Sequence, residues 1–138
     1  MNWKRLALAA VVTWIVSLVV GYVVNTIIFA DLYAANAAAF RTTDDTDAGL
    51  PLGFAFMLVG FFAFTYAYAK GYEGGNGLKE GARFGLLIGI MLCCFAIIWN
   101  YITIPISGTM AVAMLVDYLI EYTVYGAIVG ALYKRKAA

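Results

Sequence analysis

Apolar runs long enough to cross a lipid bilayer fill most of this chain, and only short polar breaks separate them. A helix rises about 1.5 Å per residue, so about 20 apolar residues span a hydrocarbon layer of about 30 Å. The runs fall at about 5–30, 49–69, 78–103 and 106–133. Lipid offers the backbone no hydrogen-bond partner, so a spanning segment must satisfy its own N–H and C=O groups, as a helix does. The chain is therefore expected to be all-α, a four-helix transmembrane bundle in a single domain over residues 1–138. Charged residues make up 12% of the chain, about half the share usual in soluble domains.

The last run carries the main anomaly. Asp117 and Glu121 lie near its middle, hence near the bilayer midplane, and four residues apart on one helix face. Each acid at that depth costs about 2.5–3.5 kcal/mol on insertion scales, and the surrounding Leu, Ile and Val residues offset only part of it. The rest of the protein should keep these carboxyls off lipid. At 100° per residue, Tyr118, Tyr122 and Tyr125 share their side of the helix, while Val112, Val116, Leu119 and Ile120 lie opposite and suit lipid. Residues expected at the same depth are Ser17, Gly21, Ala55, Val59, Cys93 and Cys94, and none is basic. Arg83 is several turns too shallow to pair with the acids. Without a cation, at least one carboxyl is expected to keep its proton near neutral pH. The candidate intramembrane polar site is Asp117 and Glu121 with Ser17, Asn25 and Asn100. A proton- or cation-binding site is one reading. The reading the sequence favours is a neutral, hydrogen-bonded pair that holds helices or subunits together. A water-accessible cavity reaching either carboxyl would argue for the first, and dry burial for the second.

Small residues mark the contact faces. Gly81, Gly85 and Gly89 form G-x-x-x-G-x-x-x-G in the third run, extended by Cys93 and Ala96 and ended by Asn100. Such a stripe lets helix backbones approach closely, within one subunit or between subunits. Gly126 and Gly130 form a second pair beside the acidic face. On the first run Thr13, Ser17, Gly21 and Asn25 recur every fourth residue as a small, polar face.

The connections contain little chemistry. Residues 31–41 are rich in Ala and could prolong the first helix past the membrane. Thr42–Asp47 breaks it and offers capping residues for the next helix, with Pro51 in that helix's first turn. Its acids lack the Gly and closing Glu of an EF-hand loop and read as a solvated turn. The Gly-rich turn Lys70–Gly77 lacks the order of a phosphate loop. Ala35-Asn36-Ala37 has signal-cleavage spacing, but the preceding apolar run is too long for a signal core, so the first helix is expected to remain uncleaved. Histidine is absent, and Cys93-Cys94 fits no zinc or redox spacing. With no nucleophile–base pair or ligand set, no catalytic residue, cofactor or metal is expected, and the protein is read as a non-enzyme. The tyrosines and phenylalanines read as packing and interface anchors. Net charge is +1, so no nucleic-acid footprint is expected.

Lys4, Arg5, Lys70, Lys79, Arg83, Lys134, Arg135 and Lys136 fall on the side of the termini and Arg41 alone on the other, eight of the nine Lys and Arg residues. That bias places both termini in the cytoplasm. The segment Glu80-Gly81-Ala82-Arg83-Phe84-Gly85-Leu86-Leu87-Ile88-Gly89, with Asp117-Tyr118 and Gly126-Ala127-Ile128-Val129-Gly130, resembles a family of small uncharacterised bacterial four-helix inner-membrane proteins. The resemblance covers roughly the C-terminal half. It implies a multi-pass protein of the bacterial inner membrane and no particular activity. The expected role is a small non-enzymatic accessory or scaffold subunit. It would contact membrane lipid and self-associate as a homo-oligomer or join a larger membrane complex. The alternative is a proton-coupled carrier or channel for a small solute or ion using Asp117 and Glu121.

Overall fold

A computed structural model describes residues 1–133. The basic residues Lys134, Arg135 and Lys136, which enter the topology count, lie outside the described residues. No strand occurs among the described residues, and the helices run α1 (Trp3–Val23), α2 (Ala30–Ala35), α3 (Thr43–Gly71), α4 (Gly77–Leu92), α5 (Ile98–Thr103) and α6 (Gly108–Leu132). A π-helical turn, Val24–Ile28, continues α1, and another, Cys93–Ile97, joins α4 to α5. Four continuous stretches are long and apolar enough to cross a membrane: Trp3–Ile28, Thr43–Gly71, Gly77–Thr103 and Gly108–Leu132. The all-α, four-helix expectation holds.

Two boundaries differ from the expected ones. The second spanning helix begins six residues early, at Thr43 rather than 49. Thr42 caps it: its hydroxyl accepts from the Asp45 N–H at 3.2 Å and donates to the Asp45 carboxylate at 2.8 Å. Asp44 and Asp45 then sit in the first turn, where the positive end of the helix dipole favours acids. The acidic stretch is thus the start of the helix, and Pro51 lies inside it rather than in its first turn. Pro51 has no N–H, so the Asp47 carbonyl lacks its helical donor. The first spanning helix also stops at Ile28, and residues 30–35 form a separate short helix. The side chains of Asn25 and Thr26 bond back to the carbonyls of Gly21 and Tyr22, competition that bends a helix.

The tightest packing is between α4 and α6. A Cβ built on Gly81 would meet the Gly126 carbonyl oxygen, and one on Gly126 would meet that of Gly81; Gly77 and Gly130 are related in the same reciprocal way. Each Cα–H therefore faces a carbonyl across the seam, a weak hydrogen bond of about 0.5–1 kcal/mol. The glycine stripe of the third run packs within the subunit, Gly81 on Gly126 and Gly130, Gly85 on Tyr122 and Gly126, and Gly89 on Tyr118 and Leu119. Helix α1 lies across α3 and α6 and buries Leu6, Ala9, Ala10, Thr13 and Ser17. Trp14 donates its indole N–H to the Phe54 carbonyl at 3.1 Å, which ties α1 to α3.

The two ends of the bundle are built differently. At one end Trp3 stacks on Tyr66, and Tyr68, Tyr72 and Tyr133 form an aromatic cluster over Leu6. The start of α1 and the ends of α3 and α6 share that end. At the other, α2 packs through Leu32 and Tyr33 on Ile106, Met110 and Ala111. Buried Asn36 accepts from the Ser107 N–H at 2.6 Å, and the Ser107 hydroxyl caps α6 at the Met110 N–H. Residues buried on α3 are confined to its second half: Phe61, Phe64, Thr65, Tyr68 and Ala69. From Thr43 to Gly60 the helix is exposed apart from half-buried Leu58, so this half is tied to α1 at Phe54 but little covered by the rest of the bundle.

Candidate functional site

The gap left by α3 is a cleft of about 1250 Å³ between α1, α3, α4 and α6. Its mouth, at the end that carries α2, is lined by Arg41, Thr43, Thr46 and Asp47. Asp117, Tyr118 and Glu121 project into it from α6, opposite Ser17, Gly21 and Asn25 of α1. Deepest are Phe61 and Phe64 of α3, Phe84 of α4, and Tyr122 and Tyr125 of α6. The rings interlock: Phe61 meets Tyr125 edge-on at 5.4 Å between centroids, Phe64 lies 4.9 Å from Phe84 and 6.1 Å from Tyr122, and Tyr122 stands 5.8 Å from Tyr125. Edge-to-face pairs at these distances add about 0.5–1.5 kcal/mol each beyond the area they bury. This floor closes the cleft toward the end that holds Tyr68 and Tyr133.

Helix periodicity explains the acidic wall. Asp117, Glu121 and Tyr125 follow at four-residue steps, so they stack along one face of α6, while Gly126 and Gly130 turn toward α4. The Tyr125 side chain lies one turn along from Glu121, with its hydroxyl toward the carboxyl. Both acids are half-buried, and among the described residues neither has a Lys or Arg partner. Among the described residues, Arg41, at the mouth, is the one basic residue of the lining. Above the acids, the Tyr33 hydroxyl of α2 donates to the Asn25 side-chain oxygen at 2.8 Å. Burial pushes the Tyr33 phenol up from its ordinary value, and Tyr118 and Asp117 push the same way, so it stays a donor.

The residues singled out from the sequence separate on this geometry. Asp117, Glu121, Ser17 and Asn25 all line the cleft; Asn100, half-buried on α5, does not. Ser17 and Thr13 bond to carbonyls of their own helix, those of Trp14 and Ala9, and Asn25 to Gly21. Their hydrogen bonds therefore go to α1, and for Asn25 also to Tyr33 of α2, rather than to the carboxyls. Cys93 is buried and its thiol faces the Leu115 carbonyl at 3.5 Å, while Cys94 is exposed. Sequence reasoning missed Tyr33, Arg41 and Asp47 as parts of this site. They come from the connection before α3, and no periodicity signals that a connection folds back over a cleft. It also treated Phe61 and Phe64 as general packing, although their three-residue spacing places them on one side of α3.

The Gly-rich turn between α3 and α4 has an internal occupant. The Glu80 carboxylate accepts from the N–H groups of Glu73 at 2.7 Å and Gly75 at 3.3 Å. The donors that an anion would need are already engaged. Among the described residues no group of three or more Cys, Asp or Glu side chains is placed to hold a metal ion. The chain matches no protein-family model, no curated protein and no solved structure.

Proposed function

We propose that this chain is a small, non-enzymatic membrane carrier that exchanges a proton for a small solute or ion at Asp117 and Glu121. The observation that supports this is the cleft: it reaches both carboxyls from one end of the bundle and is closed by aromatic rings at the other. A pair serving only as glue between helices would be buried dry. An intramembrane acid facing a cavity, with no basic partner, is suited to hold and release a proton. Closure at one end and access at the other is the arrangement an alternating-access carrier needs in one of its two states. With the Lys and Arg bias, the termini lie in the cytoplasm and the cleft opens outward. The resemblance to small bacterial four-helix proteins favours the inner membrane of a bacterium.

A second reading, an accessory subunit that self-associates or joins a larger complex, is favoured by a separate observation. The first half of α3 is exposed, and Gly49 and Gly53 on it face open space, which suits close approach by another helix.

Purified protein in liposomes, with a pH gradient and an internal pH dye, separates the two. Sodium, ammonium or tetraphenylphosphonium is supplied on the side opposite the proton excess. The carrier reading expects proton movement that depends on one of these cations and vanishes in Glu121→Gln and Asp117→Asn, with helical content unchanged. No proton movement with any of them, in a protein that is folded and assembled, overturns it in favour of the subunit reading.

A further inference from the structure

We infer that the cleft is built for a lipophilic organic cation, one whose charge is spread over or shielded by aromatic or alkyl groups. The site is the one proposed above, and the inference takes its location from that reading while making its own claim about binding. Size comes first. The cleft, at about 1250 Å³, is larger than the range of about 300–1000 Å³ usual for organic ligands. A bare metal ion needs several oxygen ligands converging within about 2.6 Å, and among the described residues no such set of acids exists.

Charge comes second. Two carboxyls face the cleft, and among the described residues no Lys or Arg offsets them. An anion would be repelled there, and a neutral molecule would leave any ionised carboxyl uncompensated. Among cations, sodium and ammonium ions are strongly hydrated, and stripping that water at membrane depth is costly. A cation with spread charge and an apolar body has little hydration to lose.

The walls are aromatic. Tyr118 and Tyr122 lie 5.7 Å apart beside the acids, and Phe61, Phe64 and Phe84 continue the aromatic surface below them. Ring faces attract a cation held within about 6 Å. Carboxylate and aromatic wall together therefore recognise both halves of such a molecule.

The test is equilibrium binding of radiolabelled tetraphenylphosphonium to the full chain in nanodiscs, with empty nanodiscs as blank. Saturable binding above the blank is expected, little affected by sodium or ammonium. Glu121→Gln should weaken it by about tenfold or more. Tyr122→Leu should weaken it about three- to thirtyfold, the span of a cation–π contact. Val116→Ala, on the exposed opposite face of α6, should leave it unchanged. Binding equal to the blank overturns the inference, as does binding that survives the Asp117→Asn, Glu121→Gln double variant. Saturable, carboxyl-dependent binding without proton movement in liposomes upholds the inference and removes the carrier reading. Proton movement driven by sodium or ammonium, with no phosphonium binding, does the reverse.

Discussion

Adding one methyl group to Gly85 should do more damage than its size suggests. A Cβ there would overlap the Tyr122 carbonyl oxygen and sit 2.9 Å from the Tyr122 carbonyl carbon and 3.0 Å from the Gly126 Cα. Carbon atoms pack best at about 3.5–4.0 Å, and the overlapped carbonyl oxygen is nearer still, so the two backbones must separate by roughly 1 Å or more there. All three obstacles are backbone atoms, and no side chain can rotate away. The displacement spreads along the seam, because Gly81 and Gly126 already meet backbone just as closely. Overpacking of this kind costs about 1–3 kcal/mol, occasionally more. Alanine's better helix propensity offsets about 1 kcal/mol. With three backbone atoms met at once the cost falls at the upper end, about 3 kcal/mol, so the net expectation for Gly85→Ala is a loss of about 2 kcal/mol, and for Gly85→Leu loss of the folded protein. Gly53→Ala is the internal control: nothing lies within 4 Å of its added Cβ, so the propensity gain acts alone and stability should hold or rise. Leu87→Ala, at a side chain 57% exposed, should also be mild. Reversible unfolding in mixed micelles, followed by circular dichroism, measures each difference. Equal stability of Gly85→Ala and Gly53→Ala would refute the tight seam between α4 and α6.

Two further expectations concern the ends of the bundle. In a background with both cysteines replaced, Ser107→Cys should react with a membrane-impermeant maleimide from outside the cell, while a cysteine added after Ala138 should not; the reverse pattern would invert the topology. Asn36→Ala removes the acceptor for the Ser107 N–H and a side-chain donor to the Leu32 carbonyl. It should lower the unfolding free energy by about 1–3 kcal/mol, the cost of a buried polar group left unpaired. Loss of α2 contacts should then appear as faster amide exchange at residues 30–39, and unchanged exchange there would remove Asn36 as the clasp between α2 and α6.

Much of the architecture is a local property of the chain. Lipid leaves a spanning segment no backbone partner outside itself, so length and apolarity alone determine four helices and roughly where they lie. The four-residue spacing of Asp117 and Glu121 puts them on one face whatever surrounds them. The glycines at 81, 85 and 89 mark a contact face by the same reasoning. Spacing identifies a face but not what it meets. That Gly81 and Gly85 meet Gly126, and Gly89 meets the backbone at Tyr118 and Leu119, all in the same chain, was decided only by how α4 and α6 cross. The early start of α3 was partly legible in Thr42 and the acids after it, but their charge reads as solvated turn until the helix dipole and the cap are seen together. The cleft itself had no local signature. It exists because α3 packs through Phe61, Phe64 and Tyr68 at one end and is held only against α1 at the other, and because α2 brings Tyr33 back toward Asp117. Both depend on distances between helices, and those are set by the shapes of side chains far apart in sequence rather than by the pattern within any one of them.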